Sequence, residues 1–268
     1  MKTKKIITSV ALAFTLGVLY TGCDKAKDTV IDTDTSSASD NSTADGALSG
    51  IFKSISEAAD TSSNLKALGC PTITTTTSTT TSTWPRTLTI DFGTTGCNDK
   101  KGKIIAVLTK PFRTAGAVLT VTTVDFYDGL NKVDVGTHVI TNNGNNLAGH
   151  QNFSIDVTGS SITTPSGPIS WSTQRSLEWV EGFLTPLDQS DDVYLISGQA
   201  SGTSVKGVTF TAAITTPLRI AVSCKWIESG VITLTPKDKK PRTIDFGTSG
   251  CDNKAKVTID GTTYDITM

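Results

Sequence analysis

The amino-acid sequence predicts an all-β fold: an antiparallel meander, folded as a sandwich, a barrel or a wrapped sheet, with one short N-terminal amphipathic helix. Thr, Ser and Gly are abundant, which favours strands and turns. Short alternations of apolar and polar residues, such as residues 88–92, recur without helical periods between them. Turn pairs separate these runs, and Asp260-Gly261 is a strong signal for a two-residue hairpin.

The helix is expected over about residues 46–60, where apolar side chains such as Ile51 and Ile55 recur at helical spacing. Asp45 precedes this pattern and is the candidate N-cap. The stretch before it is rich in Asp, Ser and Thr and cannot bury enough apolar surface to fold. Fully extended, such a tether would reach roughly 75 Å. The predicted organisation is a signal peptide at 1–22, an acylated cysteine with a disordered polar tether at 23–46, and a single β-rich domain at 47–268.

The strands of the meander are expected to follow the helix in chain order. A run of Thr and Ser at 72–83 resembles low-complexity sequence, but Thr favours strands. The remaining strand predictions are 88–92, 103–109, 118–126, 132–141, 152–158, 169–173, 177–180, 193–198, 207–214, 218–228, 230–234, 254–259 and 262–267.

The first twenty-three residues have the pattern of a bacterial lipoprotein signal. Three lysines form a basic head, an uncharged apolar run of about 14 residues follows, and Gly22-Cys23 ends the pattern. The run is shorter than the roughly 20 residues of a transmembrane helix. Tyr20 stands where an ordinary signal has a small residue and where lipoprotein signals usually have Leu. We predict cleavage after Gly22 and attachment of acyl chains such as palmitate to Cys23, so that the lipid bilayer is the first partner.

The charge balance argues against nucleic-acid binding. The chain has 24 basic and 25 acidic residues, and removing the signal lysines leaves a net charge of about −4 without a basic block. We expect no nucleic-acid partner.

Four further cysteines predict disulfides, because an exported chain enters an oxidising compartment. Cys70 and Cys97 are separated by the same number of residues as Cys224 and Cys251, and each pair has a turn signal near its midpoint. We favour these two pairs, each across a β-hairpin, over the other pairings, free thiols or zinc binding, since the sequence has no CxxC motif.

One segment occurs twice. Residues 85–97 and 241–251 both contain Pro-Arg-Thr, Ile-Asp-Phe-Gly and Gly-Cys, and the first copy has two extra residues. Two residues preserve the facing of a strand, so the copies can form related halves or equivalent edges.

The repeat belongs to a wider set of motifs. The set comprises both copies, Lys101-Gly102-Lys103-Ile104-Ile105, Trp171…Arg175…Glu178-Trp179, residues 191–198, Thr216-Pro217-Leu218-Arg219, Cys224-Lys225-Trp226-Ile227 and Cys251-Asp252-Asn253-Lys254. Together these motifs resemble a family of uncharacterised Bacteroidetes lipoproteins over nearly the whole mature chain. The resemblance implies a cell-envelope lipoprotein and no known activity.

Trp171, Arg175 and Trp179 are the candidate ligand-binding residues, because they share one strand face and two Trp rings beside an Arg can stack a sugar. The alternative, which we favour, is a core cluster in which the Arg head reaches a carboxylate.

The candidate metal-ligating carboxylates lie in the loop 188–192. Asp188, Asp191 and Asp192 could bind calcium, but the loop lacks the spacing and Gly of an EF-hand, so we favour a solvated turn and expect neither metal nor other cofactor.

No catalytic residues are predicted. His138 and His150 lie in no recognisable nucleophile setting, and acidic residues cannot be paired by spacing alone. The sequence therefore predicts a non-enzymatic structural or binding module anchored in the bacterial cell envelope, in the outer membrane and either periplasmic or surface-exposed. A surface glycan-binding protein, for which Trp84, Trp171 and Trp179 could supply exposed rings, is the first alternative and a hydrolase the second. The sequence leaves the glycan or protein partner open.

Overall fold

The computed structural model describes residues 31–60, 70–77, 83–185, 188–248 and 250–268. The predicted signal peptide, Cys23 and the first part of the predicted tether lie outside the described residues. From Asp32 onward the described chain belongs to one unit. No helix within it is long and apolar enough to cross a membrane.

Fourteen strands of the described chain form one antiparallel sheet, which confirms the predicted all-β meander. Each strand pairs with its neighbour in the chain, except that β5 and β6 both lie between β4 and β7. The strands are β1 Thr72–Thr77, β2 Arg86–Asp91, β3 Lys100–Leu108, β4 Val118–Asp128, β5 Asn131–Asp134, β6 Thr137–Asn145, β7 Gln151–Thr164, β8 Gly167–Glu181, β9 Val193–Thr203, β10 Thr209–Ala221, β11 Ser229–Pro236, β12 Arg242–Asp245, β13 Lys254–Ile259 and β14 Thr262–Thr267.

The sheet wraps around the helix α1, Ser36–Asp60. Residues alternate along the strands between a polar outer face and an inner face that packs on α1, because successive side chains of a strand point to opposite faces. α1 contacts β2, β3, β8, β10 and β11, so its neighbours come from both halves of the sheet. Phe52 is fully buried and packs against Phe153 and Tyr194. The core of the protein is therefore the helix and the inner face of the sheet.

The helix starts earlier than predicted, which corrects the boundary of the tether. It begins at Ser36 rather than near residue 46, and the candidate N-cap Asp45 lies in its interior. At the true start, Asp34 accepts a hydrogen bond from the backbone N–H of Ser36. Ser, Asp and Asn are poor helix formers, so this first half depends on polar partners in the sheet rather than on an apolar stripe. Asp40, for example, accepts a hydrogen bond from the backbone N–H of Val205.

Both predicted disulfides are confirmed: Cys70 bonds to Cys97 and Cys224 to Cys251. The cysteines flank the hairpins β1–β2 and β11–β12 rather than lying in the strands, so each disulfide closes the open end of a hairpin.

The N-terminal end of the described chain is fixed to the turn between β11 and β12. Arg242 is fully buried, and its guanidinium donates to Asp32 Oδ2 at 2.6 Å and to the carbonyl of Asp34. Lys206 and Lys239 also donate to Asp34. Burial alone raises the pKa of Asp34, but these lysines and the Ser36 cap outweigh it and hold the pKa well below its usual range.

Candidate functional site

The Trp171–Arg175–Trp179 face lies in the core. The three residues are only 3–4% exposed. The indole N–H of Trp171 donates to Asn41 Oδ1 at 3.1 Å, and Arg175 Nη2 donates to Asp45 Oδ1 at 2.7 Å. Asn41 in turn donates to Asp45, so helix and sheet share one buried polar network. No Trp face is left for a sugar to stack on, and the packed alternative is the arrangement that the structure has.

Trp179 belongs to a second buried cluster, built around Asp192. Its indole N–H donates to Asp192 Oδ1 at 3.1 Å. The Arg113 guanidinium lies 3.5 Å from the centroid of the Trp179 ring and 3.4 Å from Asp192 Oδ2. Tyr194 also donates to Asp192. This carboxylate therefore holds the end of the sheet together instead of facing a metal.

The three candidate metal-ligating carboxylates do not converge. Asp188 accepts hydrogen bonds from Ser190, and Asp191 accepts one from Thr185, while Asp192 points into the core. In the part of the chain that the structure describes, no group of three His, Cys, Asp or Glu side chains could hold a metal ion.

The two histidines have different settings. His138 is fully buried on β6, and burial lowers its pKa to about 4, so it is neutral at physiological pH. His150 Nδ1 lies 2.7 Å from Glu178 Oε1, which also accepts a hydrogen bond from Asn146. These two hydrogen bonds lower the pKa of Glu178. A carboxylate-oriented imidazole supplies two of the three groups of a hydrolase triad, but no described Ser, Thr or Cys side chain bonds to His150.

A cleft of about 810 Å³ runs along α1. One face of the helix forms its floor and contributes a residue every three to four positions from Ser42 to Glu57. The β2–β3 and β4–β5 turns form one wall, and the loop between β10 and β11 forms the other. The cleft therefore opens where the wrapped sheet leaves the helix uncovered.

The floor is kept open by small residues. A Cβ atom at Gly50 would lie 3.3 Å from Asp128 Oδ2 and 3.9 Å from Lys100 Cε, so a larger residue would push into the side chains of the wall. Ser42 is 1% exposed and lines the cleft, yet its Oγ has no hydrogen-bond partner. A buried hydroxyl without a partner is uncommon and costs free energy, so its presence at a recess indicates a place where a ligand atom can bind.

Lys53 is the charged group at the centre of the floor. It is 7% exposed, and its Nζ donates to the carbonyl of Cys224 at 2.5 Å. Burial, and next the charge of nearby Lys100, lower the pKa of Lys53 to about 8. The other buried basic side chains of the described residues, Arg175 and Arg242, each pair with a carboxylate, whereas Lys53 has none within 4.0 Å.

The two disulfide loops meet at the rim of the cleft. Asp99 lies two residues after Cys97 and Lys225 directly follows Cys224. The Lys225 ammonium lies 3.2 Å from Asp99 Oδ2. Trp226 lies next to this pair, with Lys225 Nζ 5.0 Å from its ring centroid. Both side chains of this ion pair are largely exposed, so the pair contributes little free energy to holding the two loops together.

The cleft is not predictable from the sequence alone. Its signal was present as a stripe of small residues, Gly46 and Gly50 among them, with Lys53 on the same helix face. Such a stripe could equally pack against a strand, and only the tertiary structure shows that the sheet leaves it open.

Comparison with known proteins found no matching family model, no matching curated protein and no matching solved structure. The fold and the cleft are therefore interpreted from the chain's own residues.

Proposed function

We propose that the protein is a lipid-anchored protein of the bacterial cell envelope, in the outer membrane, whose β-domain is a non-enzymatic binding module. The observation that carries this proposal is the basic head and short apolar run that end in Gly22-Cys23. The motif resemblance to Bacteroidetes lipoproteins supports the same class. The cleft along α1 is the ligand site of the proposed module.

Two structural features support the anchored location. Both disulfides belong to an oxidising compartment, which an exported protein enters. The domain begins at Asp32, nine residues after Cys23. Nine residues span at most about 30 Å, so the proposed anchor would keep the domain near the bilayer surface.

The site geometry favours binding over catalysis or glycan recognition. The cleft offers a concave surface with a few polar groups, as small-molecule sites do. The His150–Glu178 pair has no bonded hydroxyl or thiol in the described residues to serve as a nucleophile. Burial of Trp171 and Trp179 removes two of the three rings that motivated the glycan alternative, and the third, Trp84, is part-exposed and lies outside the cleft.

Replacement of the lipidated residue tests the anchor. In Cys23→Ala we expect loss of alkyne-palmitate labelling and a shift of the chain from the membrane to the soluble fraction, because the acyl chains supply the membrane affinity. In Tyr20→Leu we expect processing and labelling at least as efficient as in the wild type, because Leu is usual at that position. Unchanged labelling and partitioning of Cys23→Ala would refute the proposal.

A further inference from the structure

We propose that the cleft binds a ligand with an anionic head group, a carboxylate or a phosphate, on an apolar body, and that the ammonium groups of Lys53 and Lys100 bind the head group. This inference rests on the proposed role as a binding module but not on the lipid anchor.

Lys53 determines the charge of the ligand. A buried ammonium loses its hydration and needs a counter-charge or several acceptors, and removing it from water without them costs several kcal/mol. The Lys53 ammonium has three N–H donors, and one of them is bonded, to the carbonyl oxygen of Cys224. Two N–H donors of Lys53 therefore remain available at the floor of the cleft. An anion bound there would accept hydrogen bonds from them and balance the positive charge.

Lys100 strengthens the same preference. It is half-buried in the wall, close enough to Lys53 for the two like charges to repel. An anion between two ammonium groups removes that repulsion. Three carboxylates act on Lys53 from a distance, Glu228 first and then Glu57 and Asp128. None of them pairs with its Nζ within 4.0 Å, and Glu228 is bonded to Arg219, so Lys53 has no contacting counter-ion among the described residues.

The rest of the cleft fits an apolar body. Val222, Trp226 and Ile227 line the wall formed by the β10–β11 loop, and Ala47 and Gly50 lie on the floor beneath it. The volume of about 810 Å³ is within the usual range for small-molecule sites. The unpaired hydroxyl of Ser42 lies along the same floor and can bond to a polar atom of the body.

Calorimetric titration with a matched ligand series tests the proposal. The probes are 4-phenylbutyrate, 4-phenylbutyl phosphate, 4-phenylbutan-1-ol, 4-phenylbutylamine and inorganic phosphate. They are titrated into the purified full chain, held in lipid nanodiscs if it is acylated and in buffer if it is not. We expect at least one of the two apolar anions to bind at least tenfold more tightly than the alcohol, the amine and inorganic phosphate. The phosphate and carboxylate arms distinguish the two head groups.

Lys53→Met is the decisive variant. Met keeps the length of the side chain and removes the charge, so we expect at least a tenfold loss of affinity for the anion. We expect the thermal midpoint to stay the same or rise, because the variant no longer buries an unpaired charge. Lys100→Met should lose affinity in the same direction, and Lys237→Met, at an exposed lysine of the β11–β12 turn, is the matched control with unchanged affinity.

Three outcomes would overturn the proposal: equal affinity for anion and alcohol, undiminished binding in a folded Lys53→Met variant, or no binding of either anion at millimolar concentration. Failure of the anchor proposal appears instead in the Cys23→Ala labelling and leaves these titrations unaffected.

Discussion

The two copies of the Pro-Arg-Thr…Asp-Phe-Gly…Gly-Cys segment share a local structure and differ in what surrounds them. In both, the Asp ends its strand and its Oδ1 accepts a hydrogen bond from the Gly two residues on, at 2.9 Å for Asp91 and 2.8 Å for Asp245. Both glycines, Gly93 and Gly247, have positive φ, which an Asx turn followed by glycine provides without strain. The motif therefore encodes the end of a hairpin strand.

The difference lies in the arginine. Because the second copy is two residues shorter, Arg242 occupies the inward-facing position that Leu88 holds in the first copy. Arg86 lies at the start of β2, part-exposed, with its guanidinium 4.7 Å from the centroid of Trp84. Arg242 is fully buried and binds Asp32 and the Asp34 carbonyl. The two-residue difference in length therefore places Arg86 at the surface and makes Arg242 the residue that holds the N-terminal segment.

Removal of the disulfide at the end of each copy should give the largest difference in stability between the two regions. Both disulfides close loops of the same length, 27 residues, so chain entropy predicts that losing either costs about 3 kcal/mol. Cys224 is buried and Cys70 is exposed, and the Cys224 carbonyl binds Lys53. We therefore expect the Cys224→Ser/Cys251→Ser pair to cost about 1 kcal/mol more, from the buried hydroxyl, and to weaken anion binding. Urea unfolding of this variant and of Cys70→Ser/Cys97→Ser measures the difference. Identical losses of unfolding free energy would show that burial of the cysteine contributes nothing.

Arg242→Ala and Arg86→Ala form the second test. Removal of Arg242 leaves a cavity and unpaired polar groups at Asp32 and Asp34, so we expect a loss of about 3 kcal/mol. Removal of Arg86 should cost at most about 1 kcal/mol, because its ring contact is part-exposed. Urea midpoints at constant m-value give both numbers. A loss for Arg86→Ala as large as that for Arg242→Ala would contradict the assigned clamp.

The third and smallest test compares the Asx turns. Asp91→Ala and Asp245→Ala should each cost about 1 kcal/mol. Asp91 also pairs with Lys103 at 2.7 Å, which together with the Gly93 N–H lowers its pKa. A carboxyl group whose pKa is lowered by folding stabilises the folded state at pH values above its unfolded-state pKa. This stabilisation is lost as the pH falls through the folded-state pKa. At pH 7, Asp91→Ala should therefore cost slightly more free energy of unfolding than Asp245→Ala, and this difference should shrink in acid. Urea unfolding of both variants at pH 7 and pH 2.5 measures it.

The features that the sequence predicted correctly depend on residues near one another in the chain. The disulfide pairs followed from equal spacing around two hairpins, and most strands followed from local alternation. The first half of α1 has no local signature, because its polar side chains Asn41 and Asp45 find their partners at Trp171 and Arg175, 130 residues away. The cleft likewise depends on how far the sheet wraps around α1, and no local sequence pattern predicts that.

The clamp at Arg242 also determines the path of mechanical load. Tension on the chain N-terminal to Asp32 reaches the ion pair with Arg242 and then α1, the central element of the core. Buried bonds along the helix, such as those from Asp45 to Arg175 and from Lys53 to Cys224, must shear together before α1 moves. Interactions loaded in parallel resist extraction better than bonds broken one at a time. If the chain is anchored as proposed, tension on it would therefore load these buried bonds together before α1 could leave the sheet.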